Sequence, residues 1–170
     1  MSFRAGIALG SNLGNRLLHL RQARDRLRNE VAEPDSEFLQ APLYLSEPVG
    51  CPPGSPDFFN SVCEIEFEGT PRELLSVTQG IEQDLGRLSQ NEENAPRVID
   101  LDILYFGDLV VREEDLTIPH PRITDRRFVL LPLSEICPSL ILPDYLTTIE
   151  EHLQRIDSDE PEPSLIQAAW

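Results

Sequence analysis

The spacing of apolar residues changes several times along the first seventy residues, and each spacing predicts a different element. Residues 3–9 form a short apolar run that predicts a strand. Leucines then recur at helical spacing over 17–31, which predicts a helix. The runs 38–44 and 59–67 predict a second and a third strand, and the segment between them, 46–56, is too rich in Pro and Gly for a regular element.

A second helix and a fourth strand follow. The string Thr70-Pro71-Arg72-Glu73 combines a capping residue, a proline at the first helical position and a Glu three residues after the cap, which predicts a helix running to about Leu85. Residues 87–96 lack hydrophobic periodicity, and 98–106 form a strongly β-forming run. The order β-α-β-β-α-β predicts an α+β, ferredoxin-like fold, an antiparallel sheet with both helices on one face.

The rest of the chain predicts C-terminal additions to this fold. An apolar stretch covers 128–136, and a last helix is expected over 148–156. Residues 157–163 contain four acids and two prolines, a composition typical of disorder. With 170 residues, 40% of them hydrophobic, we expect one domain over 1–156 and a flexible acidic tail over 157–170.

The charge excludes several classes of protein. Thirty acids and fourteen arginines give a net charge of −16, which repels nucleic acid and anionic membranes. The absence of Lys excludes lysine Schiff-base chemistry and a Walker-type phosphate loop. Six of the arginines lie within residues 1–28, and we interpret them as a solvated helix face.

The cysteines and the hydropathy pattern favour a soluble, cytoplasmic protein. Cys51, Cys63 and Cys137 are an odd number without a Cys-x-x-Cys pair, so they predict neither a disulfide framework nor a zinc site. We expect them to be buried and inert. The N-terminus lacks a secretory leader, and no apolar run approaches the ~18 residues of a membrane-spanning helix.

The strand 98–106 carries the strongest candidate chemistry. Alternation directs its apolar residues to the face covered by helices and directs Asp100 and Asp102 to the opposite face. Carboxylates one pleat repeat apart, ~7 Å between their Cα atoms, suit Mg²⁺, which takes oxygen ligands and leaves positions for water and phosphate. A short Asp-x-Asp string is by itself more often a merely polar strand face.

The surroundings of this strand favour the functional interpretation. Arg87 and Arg97 lie at the two ends of the irregular segment that leads into it. Because Arg suits bidentate phosphate contacts, such a loop can close over the phosphates of a nucleotide. His120, between two prolines, is a further candidate, although taken alone it is more often structural.

Four separated motifs occur in order: Ala-Leu-Gly-Ser-Asn-Leu at 8–13, Phe-Phe-Asn at 58–60, Pro-Arg-Val-Ile-Asp-Leu-Asp-Ile-Leu at 96–104, and Ile-Pro-His-Pro-Arg at 118–122. Together they resemble the 6-hydroxymethyl-7,8-dihydropterin pyrophosphokinases of folate biosynthesis, over about residues 5–140. The resemblance implies a ferredoxin-like enzyme that transfers the pyrophosphoryl group of ATP to the hydroxymethyl oxygen of the pterin and releases AMP.

The resemblance also implies a role for individual residues. Asp100 and Asp102 are expected to hold two Mg²⁺ ions, and Arg87 and Arg97 to contact phosphate as catalytic residues. The implied ATP-binding residues are Gln79, Glu82, Arg87, Arg97, Ile103, Thr117, His120 and Arg126. The implied pterin-binding residues are Ser46, Val49, Phe58, Asn60 and Phe128. The two Phe rings are expected to enclose the pterin, and the Gly-Ser-Asn string 10–12 to border its pocket.

The chain departs from the family pattern in the segment before Pro96. Relatives commonly carry basic residues and an Arg-Trp-Gly string there, whereas this chain has Ser89, Gln90, Glu93, Asn94 and Ala95. Asp115 also replaces a basic residue that is common near the nucleotide, and Phe58 replaces a common Tyr. We therefore expect an active enzyme with weaker ATP binding or slower turnover.

Three alternatives remain open at this point. One is a catalytically weakened relative that acts as a pterin- or nucleotide-binding module. The others are a different metal-dependent phosphotransferase on the same fold and a regulatory module for a small molecule. For the favoured enzyme we expect ATP and the pterin as partners, neither nucleic acid nor membrane, and a monomeric state.

Overall fold

The computed structural model describes residues 1–86 and 97–170. Within these residues, strands and helices alternate as the sequence predicts and continue beyond residue 106. In chain order the elements are β1 (Ser2–Ser11), α1 (Arg16–Arg28), β2 (Leu39–Gln40), β3 (Leu43–Ser46), β4 (Phe58–Glu68), α2 (Pro71–Asp84), β5 (Asp100–Phe106), β6 (Val111–Arg112), β7 (Thr117–Ile118), α3 (Arg127–Ile136), α4 (Ile149–Arg155) and β8 (Ser164–Gln167).

The main sheet is antiparallel, with the strand order β5-β1-β4-β3-β8 and with β2 also paired to β4. The first four strands have the order expected when two β-α-β units interleave, each helix crossing over one strand. The prediction of a ferredoxin-like α+β fold is therefore confirmed. Strands β6 and β7 form a separate two-stranded sheet.

The single strand predicted over 38–44 is two short strands. Gln40 pairs with Cys63 and Tyr44 pairs with Asn60 on β4. Four residue steps on one side thus face three on the other, so one extra residue interrupts the pairing. Pro42 lies in this interruption, and because proline has no backbone N–H it cannot continue the hydrogen-bond ladder. The proline thus explains why β2 ends and β3 begins.

Local capping fixes the starts of two helices, and the sequence predicts the cap of the first of them. At α2, the Thr70 hydroxyl accepts from the Glu73 N–H at 3.2 Å, and the Glu73 carboxylate accepts from the Thr70 N–H at 2.7 Å. Thr148 and Glu151 form the same reciprocal pair at α4. No helix in the described ranges has both the length and the apolar character needed to cross a membrane.

Two apolar cores lie on opposite faces of the sheet. On one face, α1 and α2 pack against β1, β4 and β5, and Ile103 belongs to this core. On the other face, α3 and α4 pack against part of β4 and β5. The face that the sequence predicts to be free of helices is therefore partly covered by the C-terminal additions, and the uncovered part lies beside α3.

The prediction of a flexible tail is wrong for its second half. Strand β8 extends the sheet along β3, and Trp170 is only 7% exposed within the core that α1 and α2 cover. The acids and prolines that suggest disorder are confined to 157–163, whereas Leu165, Ile166 and Trp170 are apolar. Without β8, β3 would present an unpaired edge, so pairing satisfies backbone groups on both strands.

A buried carboxylate joins the second core to the sheet. Glu64 is 4% exposed and accepts hydrogen bonds from the Tyr105 hydroxyl at 2.5 Å and from Arg4 Nε at 2.5 Å. The Cys137 thiol donates to the same carboxylate at 3.3 Å. Burial raises the pKa of the Cys63 and Cys137 thiols to about 12, so both thiols are protonated at neutral pH. The prediction that all three cysteines are buried is wrong for Cys51 and Cys137, which are only partly buried.

The Tyr105 ring occupies the space above Gly6. The pairing of β1 with β5 shifts between Gly6 and Ile7, and both Leu104 and Tyr105 join the second core. A Cβ atom at Gly6 would lie 2.2 Å from the Tyr105 ring. The shift therefore requires a glycine beneath the ring.

We expect Gly6→Ala to lower the free energy of unfolding by about 1–3 kcal/mol, because the added methyl group overpacks the ring. Gly80→Ala is the matched control, since no atom lies within 4 Å of its added Cβ. Alanine in a helix interior is about 0.8–1 kcal/mol more favourable than glycine, so this variant should be at least as stable as the wild type. Urea denaturation of both variants measures the difference, and equal stabilities would contradict the packing argument.

Candidate active site

A cavity of about 680 Å³ opens on the sheet face opposite α1 and α2, beside α3. Its floor is formed by β1, β4 and β5, and its walls by loops 47–51 and 120–126 and the start of α3. The sequence-predicted residues that line it are Val49, Phe58, Asn60, Arg97, Asp100, Asp102, His120, Arg126 and Phe128. The structure therefore brings together residues that are up to 79 positions apart in the chain.

Asp100 and Asp102 lie on the face that alternation predicts. Both line the cavity, whereas Leu101 between them is buried under the helices. Asp100 pairs with Gly10 and Asp102 with Ala8 on β1. Because Gly10 and Ala8 are small, the space above β1 stays open next to the two carboxylates.

Arg97 points toward this carboxylate pair. Its Nη1 donates to Asp100 Oδ2 at 3.0 Å, and both side chains are mostly but not fully buried. A guanidinium has five N–H donors in one plane, so the partly exposed Arg97 side chain can also donate to a planar oxyanion. The predicted partner at the other end of the segment, Arg87, lies outside the described residues.

Asn12 fixes the backbone of Arg97. Asn12 is 1% exposed, its Oδ1 accepts from the Arg97 N–H at 2.6 Å, and its own N–H donates to the Arg97 carbonyl at 3.1 Å. Its amide also donates to the Pro56 carbonyl at 3.3 Å. Asn12 therefore connects the end of β1 with the backbone of Arg97 and with the Pro- and Gly-rich loop. This positioning role is more specific than the bordering role predicted for residues 10–12.

The donor set fits a hydrated, hard divalent cation. Asp100 and Asp102 supply carboxylate oxygens on one face of one strand. Within residues 1–86 and 97–170, no three acidic, His or Cys side chains gather closely enough to form a protein-only metal site. Mg²⁺ characteristically binds through one or two carboxylates together with waters and substrate phosphates, so a two-carboxylate site suits this ion.

His120 presents a neutral imidazole to the cavity. Burial lowers its pKa to about 4, the positive charges of Arg126 and Arg122 act in the same direction, and Asp100 opposes them. Its Nδ1 accepts from the Arg122 N–H at 3.1 Å, which leaves the ring proton on Nε2. A neutral imidazole with this tautomer is a hydrogen-bond donor to an oxyanion.

Aromatic and amide groups form another part of the cavity. Phe58 and Phe128 both line it, and the Arg126 guanidinium lies 5.5 Å from the centre of the Phe128 ring. Asn60 donates through Nδ2 to the Ser46 hydroxyl. Ser46 does not itself line the cavity, so its side chain acts by orienting Asn60, whose amide oxygen is left to face a ligand.

Four predicted nucleotide contacts lie outside the cavity lining. Gln79 and Glu82 are on α2, the first exposed and the second buried, and Thr117 is exposed on β7. The Ile103 side chain packs in the core under the helices. The departures at Ser89, Gln90, Glu93, Asn94 and Ala95 lie outside the described residues.

The departure at Asp115 is accompanied by a nearby arginine. Arg72 donates to Asp115 through Nη1 at 2.7 Å and through Nη2 at 2.6 Å, and it also contacts Glu113. The hydrogen bonds from Arg72 lower the pKa of the Asp115 carboxyl. The negative charge that replaces the family's basic residue is thus partly neutralised within the chain.

The sequence does not predict several acidic residues of the cavity. Glu47, Asp125 and Glu160 line it together with Cys51. Glu47 and Cys51 lie next to the predicted contact Val49, which is a usable local signal. No local signal in the sequence points to Glu160, because its acidic, proline-rich surroundings are typical of disorder.

We expect the His120 ring to titrate near pH 4 rather than near 6.5 in the metal-free protein. Between these values the unfolded chain binds a proton that the folded chain does not, so the free energy of unfolding falls as the pH falls. His120→Gln should flatten this part of the stability curve. NMR titration of the histidine rings and urea denaturation at several pH values measure both effects, and a His120 midpoint above 6 would contradict the burial argument.

Comparison with known proteins identifies the family of the chain. Residues 6–138 match the family model for 7,8-dihydro-6-hydroxymethylpterin-pyrophosphokinase (HPPK). The chain is 43% identical over 133 residues to the 2-amino-4-hydroxy-6-hydroxymethyldihydropteridine pyrophosphokinase of Bacillus subtilis, covering 78% of this chain and 77% of that protein. It is 37% identical over 145 residues to the folic acid synthesis protein FOL1 of Dictyostelium discoideum, covering 84% of this chain. The chain spans only 21% of the length of the Dictyostelium protein.

The fold has solved counterparts. The HPPK-DHPS of Plasmodium falciparum, crystallised with pterin and p-hydroxybenzoate, superposes with a TM-score of 0.70 at 16% identity, covering 91% of this chain and 42% of that chain. At this identity the match supports the fold alone. The sequence motifs, the family model over residues 6–138 and the Bacillus relative agree, and the chain belongs to the HPPK family.

Proposed function

We propose that this chain transfers the pyrophosphoryl group of ATP to the hydroxymethyl oxygen of 6-hydroxymethyl-7,8-dihydropterin and releases AMP, a step of folate biosynthesis. One observation carries the proposal. A single cavity is lined by two groups of residues. One is the carboxylate pair with Arg97 beside it, and the other consists of two phenylalanines and Asn60. The first group suits a metal-bound triphosphate, and the second suits a flat heterocycle with polar edges.

The sheet register supports a cavity long enough for both substrates. Asp100 pairs with Gly10, and Gly10 pairs with Asn60, so these three residues lie in line across three strands. Two strand spacings amount to about 10 Å. Gly10 lies between the two groups, and a Cβ atom there would approach the Asn60 amide oxygen to 3.2 Å. Glycine thus keeps the passage between the proposed phosphate and pterin ends open.

In this proposal Asp100 and Asp102 hold two Mg²⁺ ions, which when bound neutralise charge on the ATP phosphates. Arg97, held by Asn12 and Asp100, contacts phosphate oxygens, and Arg87 does the same from the other end of its segment. The Arg97 backbone is fixed before ATP arrives, so little ordering is needed on binding.

His120 and Arg126 line the phosphate-binding part of the cavity and complete the proposed ATP contacts. His120, which is neutral in the ligand-free protein, donates through Nε2, while Arg126 supplies positive charge and packs on Phe128. Gln79, Glu82, Ile103 and Thr117 stay predictions as further nucleotide contacts.

The chemistry requires positioning rather than a protein nucleophile. The pterin hydroxyl oxygen attacks the β-phosphorus of ATP in line, a new P–O bond forms there, and the bond to the oxygen bridging the α- and β-phosphorus breaks to release AMP. The O–H bond of the hydroxyl breaks as well, and its proton passes to water. Phe58, Phe128 and Asn60 hold the pterin while Arg97 holds the phosphates.

AMP formation from ATP, Mg²⁺ and the pterin tests the proposal against the same mixture without pterin. Pterin-dependent AMP is the expected result. Pterin binding without AMP would instead favour the alternative of a catalytically weakened module that binds pterin or nucleotide.

We expect Asp102→Asn to lower kcat at least about a hundredfold, because the variant loses a charged ligand at the centre of transition-state stabilisation. Its fold should be unchanged, since asparagine has nearly the same shape. Asp108→Asn is the matched control, an exposed position just after the same strand, and it should keep wild-type turnover. Substantial Mg²⁺-dependent activity in Asp102→Asn would contradict the metal-holding role.

A further inference from the structure

The segment 157–170 passes from one face of the sheet to the other. After α4 it runs along the rim of the cavity, where half-buried Glu160 joins the lining. The Glu160 N–H donates to the Ser158 hydroxyl at 3.1 Å, a local turn that shapes this stretch. Strand β8 then continues along β3. We call residues 157–170 the strap.

Contacts at Trp170 fasten the strap to the opposite core. The Trp170 indole N–H donates to the Ala41 carbonyl at 2.9 Å, and the Trp170 carbonyl accepts from Gln40 Nε2 at 3.1 Å. The Arg24 guanidinium lies 5.1 Å from the ring centre and donates to the same carbonyl. The strap is therefore held by α4 before the cavity and by Trp170 and β8 after it.

The topology sets Glu160 beside the loop predicted to contact the pterin. Strand β8 begins at Ser164, paired with Leu45 near the end of β3, and β3 leads into loop 47–51. Glu160 lines the cavity together with Val49 of this loop. In the sheet, β8 and β3 lie on the side away from β5, which carries Asp100 and Asp102.

Building on the proposed function, we propose that Glu160 is a pterin-binding residue held in place by the strap. The pyrimidine ring of a pterin presents an amino group and a ring N–H side by side, both donors. A carboxylate offers two acceptor oxygens in the matching arrangement, and hydrogen bonds to an ionised acceptor are the stronger kind. The negative charges of Glu47 and Glu160 also disfavour phosphate at this end, so they direct the triphosphate toward Arg97.

The proposal assigns a substrate contact to a segment outside the residues that match the family model, 6–138. It also explains why a polar residue of an acidic, proline-rich stretch is half-buried. Glu162, two positions along the strap, is exposed and does not line the cavity. It is therefore a matched control for charge and location.

Calorimetric titration of 6-hydroxymethyl-7,8-dihydropterin, with and without Mg²⁺ and a non-hydrolysable ATP analogue, compares the wild type with Glu160→Gln and Glu162→Gln. Glu160→Gln should raise the Kd for the pterin about tenfold, the size expected for one charge-assisted hydrogen bond. Its Kd for the ATP analogue should stay within about twofold of the wild type. In turnover, KM for the pterin should rise while kcat is retained. Glu162→Gln should match the wild type in each measurement.

Trp170→Ala tests the role of the strap. Without the contacts of the Trp170 side chain, the strap no longer holds Glu160 in place, so the pterin affinity should fall as in Glu160→Gln. Combining both changes should cause no further loss of affinity. Thermal melting checks that each variant folds, and if Trp170→Ala does not fold, Glu160→Gln against Glu162→Gln decides alone. Equal pterin affinity of Glu160→Gln and wild type, or additive losses in the double variant, would overturn the inference. Wild-type pterin binding without AMP formation would refute the proposed function alone.

Discussion

The pairing of β1 with β4 on one side and β5 on the other determines most of the candidate site. This register aligns Asp100, Gly10 and Asn60 across three strands. Since residues directly opposite in an antiparallel pair share a face, a shift by one residue on either side would direct Asp100 or Asn60 into the core under α1 and α2. The irregularity of β5 beside Gly6 lies beyond Asp102, so it brings Tyr105 into the second core without disturbing the carboxylate pair.

The sequence predicts those features whose cause is local. The capping string at Thr70, the alternation around Asp100 and the β-α-β-β-α-β order, with its second strand divided at Pro42, all depend on neighbouring residues, and all are found in the structure. Asn12 and Trp170 are different, because their partners lie far along the chain and only folding brings them together. A composition rule applied to 157–163 therefore could not show that Glu160 meets the cavity.

The arginines of the cavity offset the charge of this acidic protein only in part. The net charge of −16 disfavours an anionic ligand at long range. The described cavity lining contains Arg97, Arg122 and Arg126 but also five carboxylates, those of Glu47, Asp100, Asp102, Asp125 and Glu160. Screening at physiological salt limits the repulsion by distant acids to about 8 Å. Binding of the proposed triphosphate therefore depends on this local balance, in which cations at Asp100 and Asp102 would offset the excess of carboxylates. Outside the cavity, a neighbouring arginine also offsets an acid: Asp115, at a usually basic position, is partly neutralised by Arg72.

The strap connects the stability of the sheet edge with the shape of the cavity. Strand β8 satisfies the edge of β3, and β3 carries Ser46, the hydrogen-bond partner of Asn60. A loosened strap would thus leave the edge of β3 unpaired, and it would remove one of the two strands that flank β3, whose Ser46 orients Asn60. The strand that covers the edge of β3 therefore also supports the proposed pterin end of the cavity, so that the two requirements select the same residues, from Glu160 to Trp170.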